Sequence, residues 1–277
     1  MVGYKLRYIL GCSLLIWTLG LASAWAADKE FPGRETYSDV PVISLEDLKL
    51  RFSDVVVVDV RSEFEFETLR VKGAKNVPLS NKNFVDDIAK MRVESNKDIV
   101  MYCNGKTCMK SYQAVRQCNS AKIPNVFAYD AGIMDWAKAY PNEAILLGKV
   151  MGDPKRLIST EQFKKHLLDP EAFGEKVGST DALVLDVRDR FQRDALGIFP
   201  GRERRAYLDE TKKLDRYISK AMSENRPLLI YDEAGHQVRW FQYYLEDKGV
   251  REYYFMNGGT AAYFKSLTGN FLGKPAK

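Results

Sequence analysis

The chain has 277 residues, 45% apolar and 29% charged, the balance of a soluble globular protein with room for two domains of ordinary size. Its net charge of +5, or +3 without Lys5 and Arg7 of the leader described next, is too mild for a nucleic-acid surface. No Lys/Arg block marks a polybasic membrane patch, and two histidines far apart, His166 and His236, argue against a histidine-built metal centre or a Ser-His-Asp triad.

Residues 1–26 read as a signal peptide. Lys5 and Arg7 form a positive start, residues 8–22 are almost wholly apolar, and Ala24-Trp25-Ala26 offers small residues for cleavage. The apolar run is shorter than the roughly 20 residues of a spanning helix, so cleavage is favoured over a retained membrane anchor. Cys12 precedes most of the apolar run, whereas a lipid-modified cysteine should follow it. The expectation is a soluble periplasmic protein that meets the membrane only through its leader. The alternative is a protein anchored by an uncleaved N-terminal segment. Cleavage leaves Cys103, Cys108 and Cys118, which is no disulfide framework, although export permits a disulfide.

Beyond an N-terminal segment (27–41), the chain repeats itself. Asp54-Val-Val-Val-Val-Asp59-Val-Arg61 is echoed by Asp181-Ala-Leu-Val-Leu-Asp186-Val-Arg188, residues 98–102 by 227–231, and residues 125–132 by 252–259. The offset is 127 at Asp59/Asp186 and at Gly132/Gly259, and 129 at Tyr102/Tyr231. In the first copy the β-branched run 55–60 suits a strand buried on both faces. Residues 84–91 have helical spacing, 99–102 form a second strand, 109–118 a helix, 125–129 a third strand, and Gly132 precedes a short helix through Trp136. The second copy predicts strands at 182–187, 228–231 and 253–256, with helices near 212–222 and from Arg239. Strand-helix alternation implies parallel sheets covered by helices, an α/β class. The domains are expected at 42–148 and 158–277, joined by a linker over 149–157 that contains Gly152 and Pro154.

Ligands of open α/β sheets bind outside the carboxyl ends of the strands. There the first copy places Cys103-Asn104-Gly105-Lys106-Thr107-Cys108, followed by a helix. A cysteine facing backbone N–H groups and a helix N-terminus sits in positive potential, which favours the reactive thiolate. The same N–H groups suit an anion or a persulfide. Gly105 lets the backbone curl, and Lys106 and Lys110 add charge. A merely buried, inert cysteine is the plain alternative, against which the loop position and the lysines argue.

These residues resemble the rhodanese family. The resemblance rests on Asp59-Val60-Arg61, on Gly73-Ala74-Lys75-Asn76-Val77-Pro78, on Met101-Tyr102-Cys103 opening a six-residue loop, and on Ala131-Gly132 with Trp136. It covers nearly all of the first copy and implies two tandem rhodanese-like domains. It also implies a cofactor-free sulfurtransferase in which Cys103 takes sulfur from a donor such as thiosulfate and passes it to a thiophilic acceptor. By the same resemblance, Asn104, Gly105, Lys106, Thr107 and Cys108 cradle the persulfide, while Asp59 and Arg61 brace the loop. Implied partners are a small sulfur-containing anion or thiol and a protein thiol acceptor, with no nucleic acid and no metal.

Two positions depart from the pattern. Cys108 stands where Arg or Thr is frequent. It could attack a Cys103 persulfide, pair with Cys103 directly, or be a passive small residue. Arg70 stands where His is frequent. Cys118 is expected to be structural. In the second copy Asp232 replaces the nucleophile, and nothing nearby completes a hydrolytic or metal site with His236. That copy is therefore expected to be silent. Two other function classes compete with sulfur transfer: a thiol-disulfide or persulfide redox protein using Cys103 and Cys108, and a non-catalytic binding module. A phosphatase is disfavoured, because its loop is one residue longer and ends in Arg, where this chain has Met109.

Overall fold

A computed structural model describes residues 30–189 and 197–271. The leader read over 1–26 lies outside the described residues. In chain order the strands are β1 (Val55–Asp59), β2 (Leu69–Val71), β3 (Lys75–Asn76), β4 (Asp98–Tyr102), β5 (Val126–Tyr129), β6 (Ala144–Leu146), β7 (Lys149–Val150), β8 (Leu167–Leu168), β9 (Leu183–Asp186), β10 (Glu203–Arg205), β11 (Leu228–Tyr231) and β12 (Tyr253–Met256). The described chain divides into two compact units. One comprises residues 30–61 and 73–139, the other residues 62–72, 140–189 and 197–271.

The first unit is built on a parallel sheet of order β3-β1-β4-β5. Its central strands are apolar runs because both faces are covered, and Val58, Ile99, Val100 and Met101 have no exposed surface. Burying such a side chain contributes about 1.5–3 kcal/mol. The helix Lys110–Ser120 packs on β4 and β5, presenting Ala114, Val115 and Cys118 to the core. It begins one residue and ends two residues later than its spacing predicts, with Met109 as N-cap. Its end is set by Lys122 (φ 59°), after which the Ile123 N–H donates to the Cys118 carbonyl at 3.0 Å. Asn125 also takes a left-handed turn (φ 58°), so β5 starts at Val126, one residue later than predicted.

The second unit holds a parallel sheet of order β10-β9-β11-β12-β8. Both parallel sheets are flanked by helices, the α/β class expected from the sequence. This unit also carries an antiparallel sheet of order β2-β6-β7, in which Leu69 pairs with Leu146 and Val71 with Ala144. The helix Glu63–Thr68 leads into β2. It starts at a capping box, where Ser62 Oγ accepts from the Glu65 N–H and Glu65 Oε2 accepts from the Ser62 N–H. Phe64 on this helix meets Phe241 edge to face at 6.2 Å. The stretch read from sequence as a linker contains β7 and a 3₁₀ turn at Pro154–Arg156.

Candidate active site

The ends of β1 and β4 lie side by side, with Asp59 paired to Tyr102, so the chain leaves both strands at one edge. Asp59 and Arg61 are fully buried there. Arg61 grips the carboxylate through Nε at 2.9 Å and Nη2 at 2.6 Å, and its own N–H donates to Asp59 Oδ1 at 2.9 Å. Its Nη1 donates to Asn104 Oδ1 at 3.2 Å. Asn76 Nδ2 donates to the carbonyls of Asp59 and Arg61 at 3.1 and 3.0 Å. Two buried charges are tolerable only with this density of partners.

The other side of the loop is held by backbone. The N–H groups of Ile133 and Met134, at the start of the helix Gly132–Ala139, donate to the carbonyls of Cys103 and Asn104 at 3.0 and 3.4 Å. Gly132 has φ 68°, and a Cβ there would meet the Asn104–Gly105 backbone. The sequence showed Gly132 only as a turn. Its close approach to a loop 27 positions earlier is a tertiary fact.

Cys103 is fully buried at the loop's base. Its sulfur is joined to that of Cys108 in a disulfide, with Cα atoms 6.4 Å apart. Cys103 Sγ also lies 3.3 Å from the Cys108 carbonyl and 3.7 Å from Ser111 Oγ. Ser111 is fully buried in the first turn of Lys110–Ser120, a turn without acidic residues, so the helix's positive end faces the loop uncompensated. Sequence reasoning missed Ser111; a small hydroxyl at the start of the helix that follows the Cys103–Cys108 loop was the available signal. Gly105 and Lys106 are partly exposed, while Thr107 and Lys110 are exposed.

Lys106 does not present an unopposed charge. Its ammonium pairs with Glu30 and, at 3.1 Å, with Asp135, and sits 5.4 Å from the Phe31 ring. Behind this rim the buried Asp130 accepts from Arg34 Nε at 2.8 Å and from the Tyr112 hydroxyl at 2.6 Å. Burial, reinforced by the carboxylate, pushes the Tyr112 phenol well above its ordinary range. Cys118 is a free buried thiol, pushed up to about 12 by burial.

The second unit carries the same scaffold around a different side chain. Asp186 and Arg188 repeat the buried pair, with Arg188 Nε at 2.9 Å and Nη2 at 2.8 Å from the carboxylate. Thr260 and Ala261 N–H groups donate to the carbonyls of Asp232 and Glu233, each at 2.9 Å, and Gly259 (φ 59°) approaches the Asp232 carbonyl. Asp232 follows β11 and is 2% exposed. Its carboxylate turns into its own loop and accepts from the N–H groups of Gly235, Gln237 (2.7 Å) and Val238 (3.2 Å). Burial still outweighs those donors and holds the Asp232 carboxyl above the usual carboxylate range. His236 is exposed.

Residues 44–139 match the family model of the rhodanese-like domain. An 86-residue stretch is 33% identical to an HTH-type transcriptional regulator of Mycobacterium tuberculosis, covering 31% of this chain and 36% of that protein. A 122-residue stretch is 29% identical to the tRNA uridine(34) hydroxylase of Chlamydia muridarum, covering 42% of this chain and 36% of the relative. The chain thus spans about a third of the length of these relatives. Among solved structures it is similar to the thiosulfate sulfurtransferase from Pseudomonas aeruginosa, at 19% identity over 89% of this chain and 53% of that one, with a TM-score of 0.36. It is also similar to the BH2092 protein from Bacillus halodurans, at 18% identity over 48% of this chain and 94% of that one, with a TM-score of 0.35.

Proposed function

We propose that this protein is a sulfurtransferase in which Cys103 carries sulfane sulfur from a donor such as thiosulfate to a thiophilic acceptor. The observation behind this reading is the placement of Cys103 at the end of a buried parallel strand in a rhodanese-like domain. There it lies under a helix N-terminus and in a loop braced by Arg61 and the backbone of residues 132–134. The Cys103 thiolate attacks the outer sulfur of thiosulfate, the donor S–S bond breaks, and sulfite leaves with the bonding pair. The acceptor thiolate then takes the outer sulfur of the persulfide and returns Cys103 as thiolate. Backbone N–H groups of residues 104–108 stabilise the anionic persulfide.

On this reading the second unit is a silent copy, because Asp232 cannot carry sulfur and its carboxylate already takes the loop's N–H groups. Export through the 1–26 leader places the reaction in the periplasm. The test is intact mass spectrometry of the reduced protein, residues 27–277, after incubation with thiosulfate. Cys108→Ser, which keeps Cys103 and cannot close the disulfide, is expected to gain one sulfur, and Cys103→Ser none. No gain by Cys108→Ser with either thiosulfate or polysulfide would leave a rhodanese-shaped binding protein.

A further inference from the structure

The two loops differ in where the N–H of their sixth residue points. In the second unit the Gln237 N–H points at the Asp232 carboxylate at 2.7 Å. Its counterpart in the first loop, the Cys108 N–H, donates instead to the Gly105 carbonyl at 2.8 Å, while the Cys108 sulfur is bonded to Cys103. The disulfide thus turns inward a donor that the second loop directs at an anion. The sulfurs also differ in access, because Cys103 is fully buried and Cys108 only partly. An incoming thiolate therefore reaches Cys108 and expels Cys103, the sulfur beside Ser111 and the helix N-terminus, where negative charge is best held. Cys118 does not compete, being buried and kept protonated in the core.

We infer that Cys108 is the resolving thiol of the Cys103 persulfide, so that this loop releases its sulfur as sulfide and is reset by a dithiol. This rests on the reading of Cys103 as sulfur carrier and names what that site does next. The Cys108 thiolate forms a bond to Cys103 Sγ. The persulfide S–S bond breaks, and the outer sulfur leaves as hydrosulfide with the bonding pair. Two thiols are oxidised to the disulfide seen in the structure, and one sulfane sulfur is reduced to sulfide. A dithiol then attacks Cys108 Sγ, Cys103 departs as thiolate, and the second thiol of the reductant closes on the first to release Cys108. Overall, thiosulfate and a dithiol become sulfite, sulfide and a cyclic disulfide. Cys103 remains the sulfur carrier, and Cys108 decides the fate of the sulfur.

The deciding experiment is a single turnover with no external thiol. Reduced, desalted residues 27–277 receive one equivalent of thiosulfate, and sulfide release is measured beside intact mass for wild type, Cys108→Ser and Cys108→Ala. Expected for wild type are about one sulfide per chain and a mass lower by two hydrogens, in line with the stoichiometry of exchange. The two Cys108 variants are expected to keep the added sulfur and release none. If wild type keeps its sulfur as stably as the variants, the resolving role is overturned and the carrier role stands. If none of the three takes up sulfur, the carrier reading itself falls.

Discussion

A Cβ at Gly132 would stand 2.4 Å from the backbone nitrogen of Gly105, so the Cys103–Cys108 loop and the turn after β5 fit only without a side chain. Gly132 also adopts φ 68°, a left-handed conformation that costs other residues about 1–2 kcal/mol. Gly132→Ala is therefore expected to lower the urea midpoint and to shift the loop. A misplacement of ~1 Å can slow chemistry about 10²-fold, so sulfur uptake at Cys103 should fall by that order in stopped-time mass measurements. Gly259→Ala meets the same crowding beneath Asp232 and should lower stability while leaving uptake intact.

Removing Arg61 strands the fully buried Asp59 carboxylate, a loss of about 3–5 kcal/mol. Arg61→Ala should unfold at markedly lower urea concentration. Arg61→Lys keeps a charge but cannot bridge both Asp59 oxygens and Asn104 at once, so it should fold and load sulfur slowly. Normal uptake by Arg61→Lys would remove Arg61 from the positioning of the loop.

Cys118 gives a prediction in alkali. Its folded pKa of about 12 stands above the ordinary 9.0, so the folded state keeps a proton that the unfolded chain gives up. Its contribution to stability is complete below pH 9.0 and is lost as pH rises towards 12. Urea titrations between pH 7 and 11 should show wild type losing stability relative to Cys118→Ala only above about pH 9. Parallel curves across that range would contradict the burial of the thiol.

Asp232 behaves the same way at lower pH. Burial raises its carboxyl above the ordinary 3.8, so the protonated form is favoured on folding. The stabilisation is present below pH 3.8 and disappears as pH rises through the folded value. Comparing wild type with Asp232→Asn by denaturation from pH 3.5 to 7 should show wild type gaining ground on acidification. A constant difference would mean that the three N–H donors cancel desolvation, and the opposite trend that they outweigh it.

Phe64 lies in a segment whose neighbours are in the second unit. Phe64→Ala should cost about 3–5 kcal/mol, and hydrogen exchange should speed up first at β6 and in the helix Val238–Asp247. Faster exchange confined to β1 and β4 would contradict that placement.

The site's skeleton was legible because its signals are local. A β-branched run ending in Asp59 and Arg61, and a strand ending in Cys103 before a glycine loop, state their geometry within a few residues. Residues 62–72 gave no such signal. Strand β2 has three residues, too few for a period, and its partner β6 lies about 75 positions away. The pairing of Lys106 with Glu30 was equally hidden, because only the fold brings a carboxylate from before the first repeat to the loop rim.

The excursion of residues 62–72 also orders events during synthesis. A ribosome releases these residues long before β6, β7 and the helix Val238–Asp247 exist. The first unit closes around Gly73–Ala139 while an already translated helix and strand remain without their sheet. Until β6 emerges Leu69 and Val71 lack their strand partner, and until the last third of the chain emerges Phe64 lacks Phe241, the kind of apolar surface a nascent-chain chaperone would hold.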